Sequence, residues 1–166
     1  EDINSHSIGI EIQNPGHENG YPLFPEDQMQ AVEALAGDII RRHGIRPENV
    51  LAHSDIAPQR KIDPGEKFDW ERLASVGIGH WVHPRPPTIL PVAGSLEDPR
   101  PDEGVAVVQE LLATYGYRVG RDGILDAPTK KVIAAFQRHF RPQLVDGLPD
   151  ESTRGTLEDL IAALGR

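Results

Sequence analysis

LAHSDIAPQRKIDPG, residues 51–65, combines one histidine, two aspartates and two prolines in a short segment. The apolar run that leads into it predicts a strand ending near His53, and the chain from there to Asp63 predicts a loop. Imidazole and carboxylate groups both bind Zn²⁺ in proteins, and Pro58 and Pro64 restrict the conformations of the loop between them. On these residues alone, the segment is either half of a metal site or a surface loop with an ordinary histidine.

The flanking sequence predicts alternating strands and helices. SIGIEIQ, residues 7–13, places three isoleucines on one face and Glu11 on the other, which predicts a strand. An apolar stripe from about residue 25 to 43, with acidic residues in its first turn and basic residues in its last, predicts a helix that ends at Gly44. A shorter helix is predicted in DWERLASVG, residues 69–77.

A proline-rich stretch divides the chain. Residues 80–103 contain six prolines and little periodicity, which is typical of a linker. Three helical patterns follow, and they predict a compact bundle at residues 104–166. Their apolar positions are Val105, Val108, Leu111, Leu112 and Tyr115 in the first, Val132, Ile133, Phe136 and Phe140 in the second, and Leu157, Leu160, Ile161 and Leu164 in the third.

The predicted bundle contains an internal repeat. DGILDAPT (122–129) and DGLPDEST (146–153) share the pattern D-G-x-x-D-x-x-T, and each precedes a predicted helix. Asp-Gly favours a turn, and Asp126 and Asp150 occupy the positions of helix N-caps. The same local signal is therefore predicted to begin two helices of the bundle, an arrangement more typical of a binding module than of a catalytic domain.

Composition excludes several classes of protein. The net charge of −9 argues against a nucleic acid partner, since such proteins present a basic surface. No apolar run approaches the length of about 20 residues that spans a bilayer. The chain has no cysteine, so disulfides and thiolate metal sites are excluded and any metal is held by histidine and carboxylate groups.

The order of the motifs resembles a known family. SIGIEIQN, a helix, NVLAHSDIAPQRKIDPG and FDW together resemble the zinc-dependent N-acetylmuramoyl-L-alanine amidases, the type 2 amidase family related to peptidoglycan recognition proteins. The D-G-x-x-D-x-x-T repeats and VIAAFQ resemble a three-helix peptidoglycan-binding module that is often attached to cell-wall hydrolases. The two resemblances cover nearly all of the chain apart from the linker, and both imply peptidoglycan or muropeptides as the substrate.

The resemblance implies a fold and a domain order. The expected fold class is α/β, a mixed β-sheet flanked by helices and truncated at its N-terminus, followed by a small all-α three-helix module. Residues 1–79 are predicted to form the C-terminal part of the amidase domain, 80–103 the linker and 104–166 the peptidoglycan-binding module. The implied reaction is zinc-dependent hydrolysis of the amide between N-acetylmuramic acid and L-Ala.

The resemblance also assigns roles to four residues. It makes His53 and Asp63 zinc ligands, Glu11 the general base that acts on the attacking water, and Lys61 the positive charge beside the oxyanion. These roles are chemically coherent, because a metal polarises the amide carbonyl, a carboxylate transfers the proton, and a cation stabilises the anionic intermediate.

One family feature is missing from this sequence. Family members carry another zinc-binding histidine on a strand near the start of the domain, in a segment with no counterpart here. Because the chain begins with Glu1 and not with Met, we expect it to be the C-terminal portion of an amidase whose N-terminal fragment supplies that histidine. His6 and His17 are possible substitutes, and we interpret both as surface residues.

The sequence leaves alternatives open. A non-catalytic peptidoglycan-binding protein or an inactive fragment would carry the same motifs, and the helical module could bind a protein. The implied location is the periplasm or cell envelope, with cytoplasmic muropeptide recycling as the alternative.

Overall fold

The computed structural model describes residues 3–87 and 100–165, and within these ranges the chain is helical or irregular, without a β-strand. The described α-helices are α1 (Glu26–His43), α2 (His53–Ile56), α3 (Trp70–Ser75), α4 (Glu103–Tyr115), α5 (Ala127–Phe140) and α6 (Glu151–Ala163). Short 3₁₀ helices lie at Ile3–His6, His17–Asn19 and Pro47–Asn49. The prediction of a mixed β-sheet is therefore wrong for the part of the chain that the structure describes.

The segment SIGIEIQ, residues 7–13, is irregular. A strand needs a neighbouring strand to exchange backbone hydrogen bonds, and none of the segments within 3–87 and 100–165 provides one. Ile8 and Ile10 are exposed, and only Ile12 packs against a core. The alternation of isoleucines is real, but a period of two residues forms a strand only where a partner is present.

The second predicted strand is also wrong, because His53 begins a helix and does not end a strand. The Asp55 carboxylate accepts a hydrogen bond from the Ala52 backbone N–H at 2.7 Å. A carboxylate three positions into a helix that binds the N-cap amide stabilises the first turn. This contact explains why the apolar run before His53 turns into α2.

Helix α1 follows its predicted boundaries. It covers Glu26–His43 and ends at Gly44, which has a φ of 62° and donates its N–H to the Ile40 carbonyl at 2.8 Å. Residues with a side chain rarely adopt this left-handed conformation, so glycine is favoured there. In the part of the chain that the structure describes, no helix is both long enough and apolar enough to cross a bilayer.

The hydrophobic side chains form two clusters. The first cluster comprises Met29, Val32, Ala36, Ala52, Phe68, Trp70, Leu73 and Ile78. The second comprises Val108, Leu112, Tyr117, Val132, Ile133, Ala135, Phe136, Phe140, Leu157 and Leu160, from the three-helix module. Trp81 packs against both clusters, so they share a boundary.

The beginning of the predicted linker lies on the module. Arg85 donates its backbone N–H to the Thr156 hydroxyl at 3.1 Å and forms an ion pair with Asp159 at 2.9 Å. Residues 88–99, in the middle of that linker, lie outside the described residues. The exact domain boundaries stay a prediction.

The three helices of the module and both of their predicted N-caps are confirmed. Asp126 accepts the Thr129 N–H and Asp150 accepts the Thr153 N–H, each at 2.7 Å. These bonds satisfy backbone donors that have no partner within the helix. The repeated D-G-x-x-D-x-x-T motif therefore does begin α5 and α6.

Two fully buried glutamines hold the turns of the repeat. Gln137 accepts the Gly147 N–H at 2.8 Å and donates to the Leu148 carbonyl at 3.0 Å and the Thr153 hydroxyl at 3.1 Å. Gln109 makes the equivalent bonds to the turn after α4, including a 2.7 Å bond from the Gly123 N–H. Each side chain supplies both a donor and an acceptor to a turn that lies against the core. The two turns are therefore fixed to the helices by polar contacts inside the bundle.

An ion-pair cluster joins α1 to α3 and leads to a pH-dependent prediction. Arg72 binds both carboxylate oxygens of Glu26, at 2.6 and 2.8 Å, and also contacts Glu33. The hydrogen bonds from Arg72 lower the pKa of Glu26 from 4.5 to about 2. A lowered carboxyl pKa contributes stability above the unfolded-state pKa, and that contribution is lost as the pH falls towards the folded-state value.

We therefore expect Glu26→Gln to be less stable than the wild type at pH 7, with a difference that shrinks between about pH 4.5 and 2. The effect is small because the pair is exposed to solvent. Urea midpoints measured across this pH range test it. Glu18→Gln, a charge change at an exposed position outside the cluster, is the control. A constant difference at all pH values would contradict the assignment.

Candidate metal site

The structure brings two of the four predicted site residues together. The His53 Nδ1 atom lies 2.9 Å from the Asp63 Oδ2 atom, and both side chains are partly exposed, by 40% and 55% respectively. The Ser54 backbone N–H donates to the Asp63 carbonyl at 3.0 Å, which ties the two ends of the loop together. The pair is accessible and positioned by the backbone, as a metal site requires.

The other two predicted residues are not joined to this pair. Glu11 is exposed in the irregular segment 7–13, and Lys61 is half-buried in the loop. Among the described residues, no hydrogen bond or ion pair connects either side chain to His53 or Asp63. Their assignments as base and oxyanion partner stay predictions.

The donor set fits part of a zinc site. One imidazole and one carboxylate are both suitable zinc ligands, and their 2.9 Å separation allows them to share one ion. A catalytic zinc commonly takes three protein ligands. No cluster of three or more histidine, aspartate or glutamate side chains that could hold a metal is found in residues 3–87 and 100–165. His53 and Asp63 therefore need a further ligand to form such a site.

A glycine and a tyrosine fix the end of the loop. Gly65 has a φ of 85°, and a side chain there would collide with the Tyr21 hydroxyl and the His17 ring. The Tyr21 hydroxyl donates to the Pro64 carbonyl at 2.7 Å and accepts the Lys67 N–H at 2.9 Å. Burial raises the pKa of Tyr21 to about 12, so the phenol remains a donor at neutral pH. The close approach of Tyr21 and His17 thus explains why the residue after Pro64 is a glycine.

A cavity of about 260 Å³ lies beside Asp63. Its walls include Ile12, Tyr21, Phe24 and His17. The His17 ring stacks on Tyr21 with centroids 4.1 Å apart, and its Nε2 atom lies 3.0 Å from the Glu66 carboxylate. His17 is exposed, as the sequence suggested, and its ring also forms part of the wall of this cavity.

Asp55 braces the loop through contacts that sequence reasoning did not find. Its carboxylate accepts hydrogen bonds from the Tyr117 hydroxyl and from His139 Nδ1, both at 2.6 Å. The Asp55 and His139 side chains are 4% and 1% exposed. The only signal in the sequence was a histidine on the apolar stripe of α5, next to Phe140.

Comparison with known families separates the chain into two parts. Residues 1–66 match the family model of N-acetylmuramoyl-L-alanine amidase. Residues 101–157 match the family model of a peptidoglycan binding domain. The chain thus consists of a segment similar to amidases, followed by a segment similar to a peptidoglycan binding domain.

Two curated relatives match the chain, one along nearly all of its length and one over less than half of it. N-acetylmuramoyl-L-alanine amidase AmiD of Escherichia coli is 43% identical over 169 residues, which is 99% of this chain and 60% of that protein. 1,6-Anhydro-N-acetylmuramyl-L-alanine amidase AmpD of Enterobacter cloacae is 38% identical over 73 residues, 44% of this chain and 37% of AmpD. Residues 1–66 of this chain are thus similar to N-acetylmuramoyl-L-alanine amidases, as the sequence motifs predicted.

Two solved amidase structures are also similar to this chain. The complex of E. coli AmiD with anhydro-N-acetylmuramic acid-L-Ala-D-gamma-Glu-L-Lys superposes with a TM-score of 0.70 at 42% identity, over 87% of this chain and 55% of that one. AmpDh3 of Pseudomonas aeruginosa in complex with anhydromuramic pentapeptide gives a TM-score of 0.68 at 33% identity, with the same coverage. The chain spans little more than half the length of these proteins.

Proposed function

We propose that this chain forms part of a zinc-dependent amidase that cleaves the amide between N-acetylmuramic acid and L-Ala of peptidoglycan. The observation that carries the proposal is the contact of His53 with Asp63 inside the segment that matches the amidase family. The substrate class is supported by the E. coli relative, which is solved with a muropeptide substrate.

Zinc would be held by His53 and Asp63 and would supply Lewis-acid polarisation of the amide carbonyl. Glu11 takes the proton of the attacking water and delivers it to the leaving amine. Lys61 places positive charge near the carbonyl oxygen, where negative charge develops. Both residues must approach the His53–Asp63 pair in the complete site.

The two-donor site implies a further ligand. We assign it to a histidine on polypeptide outside these 166 residues, in a segment corresponding to the part of the AmiD relative that this chain does not cover. Such a segment would also offer hydrogen-bonding partners to residues 7–13. The three-helix module binds peptidoglycan and places the enzyme in the periplasm or cell envelope.

A digestion experiment tests the proposed reaction. The complete protein that contains this chain is loaded with zinc and incubated with purified peptidoglycan and, separately, with a soluble muramyl peptide. Mass spectrometry is expected to show free stem peptides that begin with L-Ala, and a chelator is expected to stop their release. Binding to peptidoglycan without release of peptides would support a non-catalytic binding protein and contradict the proposal.

A further inference from the structure

The peptidoglycan-binding module contacts the candidate metal-ligand loop directly. The loop, residues 53–63, begins at α2 and ends at Asp63, and α2 packs against α5 of the module. Asp55, two positions after His53, is the centre of this contact. Its carboxylate accepts three hydrogen bonds, one from the Ala52 N–H within the loop region and two from the module residues Tyr117 and His139.

The chemistry of these bonds fixes their direction. An ionised carboxylate only accepts hydrogen bonds, so His139 Nδ1 carries the hydrogen that points to Asp55. Burial raises the pKa of Tyr117 well above its ordinary value, which keeps the phenol as a donor. A buried carboxylate without such donors is strongly destabilised. The docked module thus buries the Asp55 carboxylate and also supplies two of the donors that this burial requires.

Further contacts hold the same loop from the module side. The Gln59 side chain donates to the Pro128 carbonyl at 3.0 Å, and Lys131 donates to the Gln59 carbonyl at 3.0 Å. The His139 ring stacks on Trp70 of the first cluster at 3.8 Å. The module thus touches the loop both near its beginning and near its middle.

Resting on the proposed function, we infer that Tyr117 and His139 are positioning residues for the metal-ligand loop, so that the peptidoglycan-binding module shapes the catalytic site as well as binding the polymer. They act through Asp55, which sets the start of α2 and hence the position of His53. If the module served only to attach the enzyme to the wall, changes in the module would alter the hydrolysis of polymeric substrate alone. A module that positions the loop also affects a soluble muropeptide and the binding of zinc.

The test uses single hydroxyl deletions with a matched control. Tyr117→Phe removes the bond to Asp55 and leaves the ring in the core. Tyr115→Phe removes a hydroxyl of the same aromatic cluster that bonds His80 Nδ1 at 2.7 Å and not the Asp55 carboxylate. His139→Leu and His139→Asn form a second pair, because asparagine keeps a donor near the Nδ1 position and leucine does not.

Hydrogen exchange of the Ala52 and Ser54 amides reports on the loop without any need for zinc. These amides bond Asp55 and the Asp63 carbonyl respectively. In Tyr117→Phe and His139→Leu we expect both to exchange about 10-fold faster or more, the range for a lost bond to a charged group. We expect little change in Tyr115→Phe and partial recovery in His139→Asn.

The zinc-loaded complete protein supplies the functional measurement. For Tyr117→Phe we expect zinc to bind about 10-fold more weakly and kcat on a soluble muramyl peptide to fall by a similar factor with KM little changed. Unchanged exchange at Ala52 and Ser54, or equal acceleration in Tyr115→Phe, would overturn the inference. Accelerated exchange without an effect on zinc affinity or kcat would also overturn it. If the wild type neither binds zinc nor releases peptides, the proposed function fails, whereas the exchange data still decide whether the module holds the loop.

Discussion

Replacing His53 with alanine is expected to weaken zinc binding by more than about 100-fold and to abolish amide hydrolysis. Loss of a partner outside the ligand shell typically costs about 10–100-fold in metal affinity or activity, and His53 is proposed to touch the metal itself. Its removal leaves Asp63 as the one proposed ligand on this chain. Competition with a chelator of known affinity measures the zinc dissociation constant, and release of L-Ala-terminated peptides measures the activity.

The matched control for this substitution is His43→Ala. His43 is an exposed histidine at the end of α1, outside the loop that carries His53 and Asp63. We expect this variant to keep the zinc affinity and activity of the wild type. Zinc affinity that is equal in His53→Ala and the wild type would remove His53 from the metal site.

Gln137→Leu is expected to destabilise the protein by about 3–5 kcal/mol. The substitution keeps the size of the side chain but leaves the Asp146 and Gly147 N–H groups, which both donate to the Gln137 side chain, without their acceptor. Each unsatisfied buried polar group costs about 1–3 kcal/mol. The free energy of unfolding, from urea denaturation followed by circular dichroism, measures the effect.

Gln143→Leu provides the comparison, because Gln143 is exposed in the segment between α5 and α6. We expect its free energy of unfolding to lie within about 0.5 kcal/mol of the wild type. A similarly small effect of Gln137→Leu would show that the turn keeps its conformation without the buried amide.

The helices could be predicted because their signals are local. Apolar spacing, an N-cap such as Asp126 and a stop such as Gly44 lie within a few residues of the structure that they determine. The predicted strand at residues 7–13 failed for the opposite reason. Strand formation depends on a neighbouring strand that a local pattern cannot specify.

The candidate site was predicted only in part. His53 and Asp63 lie in one short motif, so the resemblance placed them together and the structure shows their contact. The bonds of Asp55 to Tyr117 and His139 join residues far apart in the chain, and no periodicity predicts them. Buried polar residues on apolar helix faces, such as Gln109, Gln137 and His139, were the available signal, because such groups require partners.

Anomalous diffraction at the zinc edge, from crystals of the zinc-loaded complete protein, tests the central claim most directly. The account predicts one strong peak about 2.0–2.2 Å from a ring nitrogen of His53 and from a carboxylate oxygen of Asp63, with a further histidine from outside this chain completing the coordination. A peak located elsewhere, for example between His17 and Glu66, or no peak beside His53 and Asp63, would contradict it.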